Sequence, residues 1–386
     1  MIEFKIYNSV NKLPKKQWND LTKHDLFLQT LYLEAFEKAC PNTICMYYVG
    51  IFKADELIGI AIIQRVQLYL KDMFRHERAS CFKEFAQNTL SKVLKGNILV
   101  VGNLTHTGQH GVFFKQSEIE QSVFLNYIFD ACNVLIKQIK NEKKKNIRLI
   151  LFKDYFENDA IHLEKAVFES KRFYKMKVQP NMIMRTRKEW LKESDYVSNM
   201  TTKYRTRFKR ARQKRNNILV KELDLDTLKK ESEKIYKLYL NVSNNAEFNT
   251  FILPENHFST LKEHLIENFK VFGYYIDSQL IGFYSLILND KSLETYFLGY
   301  DSEHQHTNQL YLNMLYDMAF FAIENKFNTV VYARTAMEIK SSVGAIPETM
   351  YMYLKLTNGF ANAALKQVFF FMNPSQEWEE RHPFKT

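Results

Sequence analysis

One pattern occurs twice in this 386-residue chain, and it limits the fold more than any single motif does. The first copy is Met46–Val66, MYYVGIFKADELIGIAIIQRV; the second is Lys270–Leu288, KVFGYYIDSQLIGFYSLIL. Each copy is an aromatic-rich apolar run, a short polar turn, Leu-Ile-Gly, and a second apolar run. Runs of this length and composition, broken by a turn, read as β-hairpins. Lys53-Ala54-Asp55-Glu56 and Asp277-Ser278-Gln279 supply the turns. Gly59 and Gly282 stand at matching places early in the second strand. A glycine there marks a bulge or a close backbone approach.

The segments after the two hairpins match as well. In the first half, Gly96–Val101 reads as a strand, Gly102–Gly111 as a polar loop, Glu118–Lys140 as a periodic helix and Ile147–Lys153 as a strand. In the second half, Leu293–Tyr300 is the strand, Asp301–Asn308 the loop, Gln309–Asn325 the helix and Asn328–Ala333 the next strand. Leu312, Leu315, Met318, Ala319 and Ala322 fall on one stripe of that helix. A strand, a helix and a second strand in this order form a parallel pair with a crossover. The expectation is therefore two α/β domains, residues 1–188 and 189–386, joined through the charged stretch Arg185–Ser198.

Composition bounds the setting. Cys40, Cys45, Cys81 and Cys132 all lie in the first half, without CxxC spacing or paired histidines. A disulfide framework or zinc site is not expected, and a reducing cytoplasm fits. The histidines show no ligand spacing such as HExxH, so no metal is expected. The amino terminus lacks the apolar core of a signal peptide. No uninterrupted apolar run reaches the length of a membrane-spanning helix. The net charge of +11 points to a polyanionic partner.

The hairpin with Leu-Ile-Gly, then strand, polar loop and helix, resembles the GNAT acyltransferase core. Two such units in tandem resemble the Fem-type peptidoglycan aminoacyltransferases and related GNAT proteins of the Bacteroidota. Some of those relatives are lipid N-acyltransferases, bacterial ceramide synthases among them. Tyr332–Gly344, YARTAMEIKSSVG, with Ala345-Ile346-Pro347, is similar to a GRTxxEIKxxxGAxP stretch of that group, with Ala333 where the family often has Gly. Lys203–Arg212, KYRTRFKRAR, resembles a KYRxxxRKAR helix, and Gly102-Asn103 with Gly108 resembles a GNxxxxG loop. The resemblance implies tandem GNAT-like (acyl-CoA N-acyltransferase) domains, mixed sheets flanked by helices. It implies an acyl-transfer site in the C-terminal lobe, a degenerate N-terminal lobe, acyl-CoA as co-substrate and no metal. Simple acetyltransferases of this superfamily wrap the CoA pyrophosphate with a Gly-rich Q/RxxGxG/A loop. Here the loop is His304-Gln305-His306-Thr307-Asn308, with no glycine.

Acyl transfer to an amine needs a neutral amine, a polarised carbonyl, a leaving thiolate and close positioning. The resemblance places the strand from Glu294 beside the thioester. Glu294 is then a candidate general base, and Tyr296 or Tyr300 a candidate acid; alternation puts Glu294, Tyr296 and Leu298 on one face. A helix beginning after Asn308 offers unpaired N–H groups to phosphate, with His304, His306, Thr307 and Asn308 as added donors. Thr307 and Asn308 are also ordinary cap residues. Thr335 and Glu338 have capping-box spacing for a short helix. Arg334, at a strand's C-terminal end, and Lys340 are candidates to hold an anionic group of the substrate.

Eight cations lie between Lys203 and Arg215, with Tyr204, Phe208 and Ala211 as one apolar stripe beneath them. Lys203, Arg205, Arg207, Lys209 and Arg212 are the candidate polyanion ligands. Anionic lipid headgroups, an RNA backbone and the donor's phosphates remain open as partners. Phe360–Met372, with Phe369-Phe370-Phe371, is a docked last element or, less favoured, a membrane-touching one.

The expected activity is N-acyl transfer from an acyl-CoA or acyl-carrier thioester to an amino lipid or amino acid. The expected place is the cytoplasm, peripheral at the inner membrane surface. Fem-type transfer from aminoacyl-tRNA is the second expectation, although no long helical-hairpin insertion is visible. A non-catalytic binding protein on the same fold is the third.

Overall fold

A computed structural model describes residues 1–68, 96–245, 250–363 and 378–385. Contacts divide the chain into two compact units. The first takes the described residues within 1–178, 247–254 and 349–375, and the second those within 179–246, 255–348 and 376–386. Cys81 and the Phe369-Phe370-Phe371 run lie outside the described residues.

In the first unit, β1 (Ile2–Tyr7) pairs antiparallel with β2 (Ile44–Lys53). Helices α1 (Lys15–Leu21) and α2 (Thr30–Lys38) lie between them in the chain. β2 forms the first hairpin with β3 (Glu56–Leu68). β3 also pairs with β4 (Gly96–Val101) and with the short β5 (Val112–Phe114). β4 runs parallel to β6 (Ile147–Phe156). The crossover is α3 (Gln121–Lys143), whose Phe124, Ile128, Ala131, Leu135 and Ile139 recur at helical spacing and are buried. These side chains join Val49, Ile51, Ala61, Ile63, Leu99 and Phe152 in one core. Each fully buried aliphatic or aromatic side chain contributes roughly 1.5–3 kcal/mol. The short α4 (Lys165–Ser170) follows β6.

The second unit's sheet runs β7 (Tyr174–Arg185), β12 (Thr329–Val331), β11 (Ser292–Tyr300), β10 (Gln279–Asn289), β9 (Phe269–Ile276), β8 (Leu219–Glu222). After β7 come α5 (Glu193–Asn199) and α6 (Thr202–Arg215), then β8 (Leu219–Glu222). Helices α7 (Leu225–Lys230), α8 (Ser232–Asn245) and α9 (His257–Leu265) lead to β9 (Phe269–Ile276). β9 and β10 (Gln279–Asn289) form the second hairpin, with Asp277 at φ 46° and Ser278 at φ 65°. Two left-handed residues in a two-residue loop make a type I′ turn, which matches strand twist. β11 (Ser292–Tyr300) pairs with β10 and leads to α10 (Ser302–Thr307) and α11 (Leu310–Glu324). The predicted stripe of α11 is buried, Leu312 through Ala322, in the unit's core. β12 (Thr329–Val331) pairs with Ile183–Arg185 of β7, and α12 (Met337–Ser341) follows.

The shared Leu-Ile-Gly has one structural meaning in both units. Ile58 is an extra residue on β3, between the pairs Phe52↔Leu57 and Ile51↔Gly59. Ile281 is the extra residue on β10, between Leu280↔Tyr275 and Gly282↔Tyr274. Each is a β-bulge, which raises local twist. A Cβ on Gly59 would stand 2.9 Å from Phe124 of α3, and one on Gly282 would stand 2.8 Å from Met314 of α11. The bare backbone lets the crossover helix lie close. Both readings of a strand glycine apply at once.

The last strand, β13 (Ile346–Leu356), returns to the first unit, where Met350–Leu356 pairs antiparallel with β6. Each contact unit draws on three segments, and the first change of unit along the chain falls between residues 178 and 179. The expected linker at Arg185–Ser198 is itself partly structured, since α5 begins at Glu193.

Candidate active site

β11 and β12 are hydrogen-bonded neighbours for three pairs only: Ser292↔Thr329, Leu293↔Val330 and Glu294↔Val331. The last link is Thr295 Oγ1, which donates to the Val331 carbonyl at 3.0 Å. Beyond it the two strands follow different partners. β11 stays with β10 as far as Tyr300. The chain leaving β12 stays with β7: Tyr332 N–H donates to Met182 O at 2.8 Å, and Met182 N–H to Ala333 O at 3.2 Å. The sheet opens between them. Thr295, Tyr296, Phe297 and Leu298 are half-buried, although Phe283–Ile287 on the neighbouring β10 are buried.

Local features set the divergence. Tyr296 and Phe297 together face Ser285, between the pairs Tyr284↔Leu298 and Leu286↔Thr295. Ser285 Oγ donates to Phe297 O at 2.7 Å and accepts from Phe297 N–H at 3.1 Å. This buried hydroxyl serves the backbone groups a bulge leaves unpaired. On the other side, Ala333 has φ 59°, Thr335 φ 66° and Ala336 φ 46°. Three left-handed residues without glycine turn the chain sharply away from the strand, at a cost of roughly 1–2 kcal/mol each.

The bulge corrects the expected alternation. Tyr296 and Phe297 both lie against His257. Leu298 and Tyr300 pack instead with the core that holds α11. Glu294 and Tyr296 share a face, while Leu298 and Tyr300 lie on the other. Glu294 is only 7% exposed. Burial raises the Tyr300 hydroxyl above its ordinary range, so it remains a proton donor at neutral pH. His257 is fully buried at the start of α9, with Nε2 3.0 Å from Tyr296 Oη. His257 is a single histidine without ligand spacing in the sequence, and the tertiary fold brings it to β11. On the same face the strand lies directly on α8: a Cβ on Gly299 would stand 2.4 Å from the Leu238 carbonyl carbon.

Where a polar loop was expected after β11, residues 302–307 form the helical turn α10, capped by Asp301, whose side chain accepts from Glu303 N–H. His304 Nδ1 lies 3.1 Å from Asn308 Oδ1. Asn308 is buried, and its Nδ2 donates to Lys214 O at 3.0 Å. His306 and Thr307 are exposed. The residue preceding α11 is Gln309, at φ 49°. His304 and Asn308 thus brace the corner, and His306 and Thr307 are the two of the four that face solvent.

Arg334 and Lys340, the candidates for an anionic substrate group, stand in different surroundings. Arg334 is half-buried, and burial lowers the guanidinium to about 10. Lys340 is 5% exposed, and its Nζ donates to Arg334 O at 2.5 Å and Ala333 O at 3.3 Å. Burial lowers Lys340 to about 7. Its amine holds the left-handed turn from beneath and is not directed at a substrate anion. The expected capping box is also absent: Ala336 precedes α12 with no side-chain cap. Glu338 instead receives Arg381.

In α6, Tyr204, Phe208 and Ala211 are buried as expected. Arg212 is turned inward, which corrects its assignment to the outer basic face. It donates to Asp317 Oδ1 at 2.6 Å and Asn313 Oδ1 at 3.1 Å, and Arg215 lies 3.5 Å from Asp317. Tyr274 also donates to Asp317. Lys203 and Lys209 are exposed, while Arg205 and Arg207 are half-buried.

The first unit closes at the equivalent place. β4 is paired with β6 along its length, from Asn97↔Ile147 to Val101↔Phe152. Lys153 and Asp154 come next in the chain, 3% and 0% exposed, with Nζ 2.6 Å from Oδ2. Lys153 Nζ also donates to His106 O and Gly108 O, at 3.0 and 3.1 Å, and Gly108 N–H donates to Asp154 at 3.3 Å. Asn103 Oδ1 accepts from Gln64 and from Thr105, so the Gly102–Gly111 loop is fastened over the strand ends.

No family model and no curated protein matches the sequence. Solved structures do share the fold. FemX matches with a TM-score of 0.56 at 10% identity, over 95% of this chain and 99% of its own. A tandem GNAT protein from the clavulanic acid biosynthesis pathway matches with a TM-score of 0.54 at 9% identity, over 93% of this chain and 99% of its own. The fold is a tandem GNAT-like α/β fold with mixed sheets.

Proposed function

We propose that this chain is an N-acyltransferase whose second unit moves an acyl group from an acyl-CoA or acyl-carrier thioester to an amine. The observation that carries the reading is the opening between β11 and β12 beyond Glu294↔Val331. A strand that parts from its neighbour inside a sheet presents backbone groups to the gap. The amide-bearing arm of a thioester donor can add to that edge as an extra strand would. The acyl carbonyl then lies beside the bulge at Tyr296–Phe297.

In this reading Glu294, nearly buried beside the gap, takes the proton of the attacking amine, and Tyr296 with His257 lines the same face. The amine nitrogen bonds to the acyl carbon, the carbon–sulfur bond breaks, and the thiolate takes a proton from Tyr300 or solvent. Positioning in such a gap supplies much of the rate. The first unit, whose strand ends are paired and filled by Lys153 and Asp154, does not carry the reaction. The acceptor is an amino lipid or an amino acid. A lipid acceptor would be met at the inner membrane surface from the cytoplasm. Among the described residues no helix is long and apolar enough to cross a membrane.

The test is incubation of the whole chain with labelled acetyl-, octanoyl- and palmitoyl-CoA and a panel of amines. Amine-dependent CoA release is expected with at least one chain length. It should fall about 100-fold or more in Glu294→Gln, the usual scale for loss of a general base. Neither binding nor transfer with any donor would contradict the reading. The likeness to FemX supports a second reading, aminoacyl transfer from tRNA. Retarded migration of total tRNA, with no response to acyl-CoA, would favour it.

A further inference from the structure

The outer face of α6 is not used by the reaction above, yet its last turn lies at the start of α11. Asn308 Nδ2 donates to Lys214 O, and Asn313 Nδ2 donates to Ala211 O at 2.9 Å. With Arg212 held by Asp317 and the apolar stripe buried, the helix is fixed, and so is the face it shows to solvent. Lys203, Arg207, Arg210 and Lys214 stand at i, i+4, i+7 and i+11, one row about 16 Å long. Lys203, Arg210 and Lys214 are exposed. Among the described residues none of the four has a carboxylate partner; the ion pairs of α6 belong to Arg212 and Arg215. Like charges at this spacing repel, which favours an anionic partner.

The corner between α10 and α11 shows why such a partner belongs at one end of the row. A glycine-rich loop holds phosphate through free backbone N–H groups. Here Gln305 Oε1 accepts from Tyr311 N–H at 3.0 Å, Asn308 N–H donates to His304 O and Asn313 N–H to Gln309 O. Gln305 has thus taken one of the first N–H groups of α11, and Asn308 and Asn313 join this corner to the backbone of α6, whose Arg210 and Lys214 are exposed. Resting on the reading of the gap as the donor site, we propose that Arg210 and Lys214 hold the phosphate groups of a nucleotide-bearing thioester donor. Side-chain charge replaces the backbone cradle. Thr206, Lys209 and Gln213 complete the outer face, so α6 offers no apolar side chain for insertion into a bilayer.

The test is calorimetric titration of the whole chain with adenosine 3′,5′-bisphosphate, CoA and the phosphate-free S-octanoyl-pantetheine. The variants are Lys214→Glu, Arg210→Glu and Lys203→Glu, all at exposed positions. The first two should weaken CoA and the bisphosphate about 10- to 100-fold, the scale of a lost charge-assisted hydrogen bond. They should change octanoyl-pantetheine by less than about twofold, and Lys203→Glu, at the far end, should change CoA by less than about threefold. Equal weakening by all three variants would replace the proposal with an extended polyanion, RNA or an anionic bilayer. No weakening by Lys214→Glu and Arg210→Glu, or no binding of any probe, would overturn it. Bisphosphate binding without pantetheine binding would leave the phosphate site standing and remove the gap reading.

Discussion

The same strand pair is closed in one unit and open in the other. β4 and β6 stay bonded up to Val101↔Phe152, while β11 and β12 part after Glu294↔Val331. Both chains then turn at the same step: Asp154, two residues past the last pair, has φ 64°, and Ala333, also two residues past it, has φ 59°. The kink is therefore common to both and does not itself open the sheet. The difference lies in the side chains that fill the space past it. In the first unit a buried Lys153–Asp154 pair and the Gly102–Gly111 loop occupy it. In the second, the equivalent of Lys153 is Tyr332, whose hydroxyl donates to Leu315 O at 2.8 Å, within the core. Lys340 supports the turn from beneath, its Nζ donating to Arg334 O and Ala333 O. One local fold thus ends in strands that stay paired in one unit and part in the other.

The largest expected effect breaks the closed side. Lys153→Met removes the buried cation 2.6 Å from the buried Asp154, and removal of one member of a buried pair costs about 3–5 kcal/mol. Denaturant unfolding should show a loss on that scale; a change below about 1 kcal/mol would mean the pair does not seal this unit.

The next prediction concerns the support of the open side. Lys340 is lowered to about 7 by burial in the folded chain. Between that value and the ordinary lysine range near 10.4, the unfolded chain binds more protons, so stability should rise with pH through this window. The rise attributable to Lys340 approaches about 4 kcal/mol across the whole window. It should be absent in Lys340→Met when both proteins are unfolded at matched pH from near neutrality to pH ~9.5. Parallel pH profiles would show that the amine is not held in low-polarity surroundings.

The smallest effect sharpens the shared kink. Ala333→Gly relieves a left-handed alanine and should stabilise the chain by about 0.5–1 kcal/mol, measured by denaturant midpoint. Destabilisation would show that the alanine methyl packs in the turn.

The hairpins, the Leu-Ile-Gly bulges and the stripes of α3 and α11 were legible because each is a local period or a local steric need. Tyr332–Gly344 was legible as a motif, but its geometry was not. Its left-handed residues include no glycine before Gly344, and its lysine faces two carbonyls that only the folded turn presents. The bulge at Tyr296–Phe297 depends on Ser285 in the neighbouring strand, so strict alternation carried Leu298 to the wrong face. His257 meets Tyr296 across 39 residues. Arg212 reads as one more cation of a basic helix until Asp317 is placed beside it. Each of these was decided by tertiary contact.

The most direct measurement is amide hydrogen exchange of the whole chain with and without octanoyl-CoA. The account predicts new protection at Thr295–Tyr300, where a donor arm would pair with the edge of β11 that faces the gap. It predicts no change at Gly96–Val101, already paired along its length. Unchanged exchange at Thr295–Tyr300 with the ligand bound, or protection at β4 instead, would contradict it.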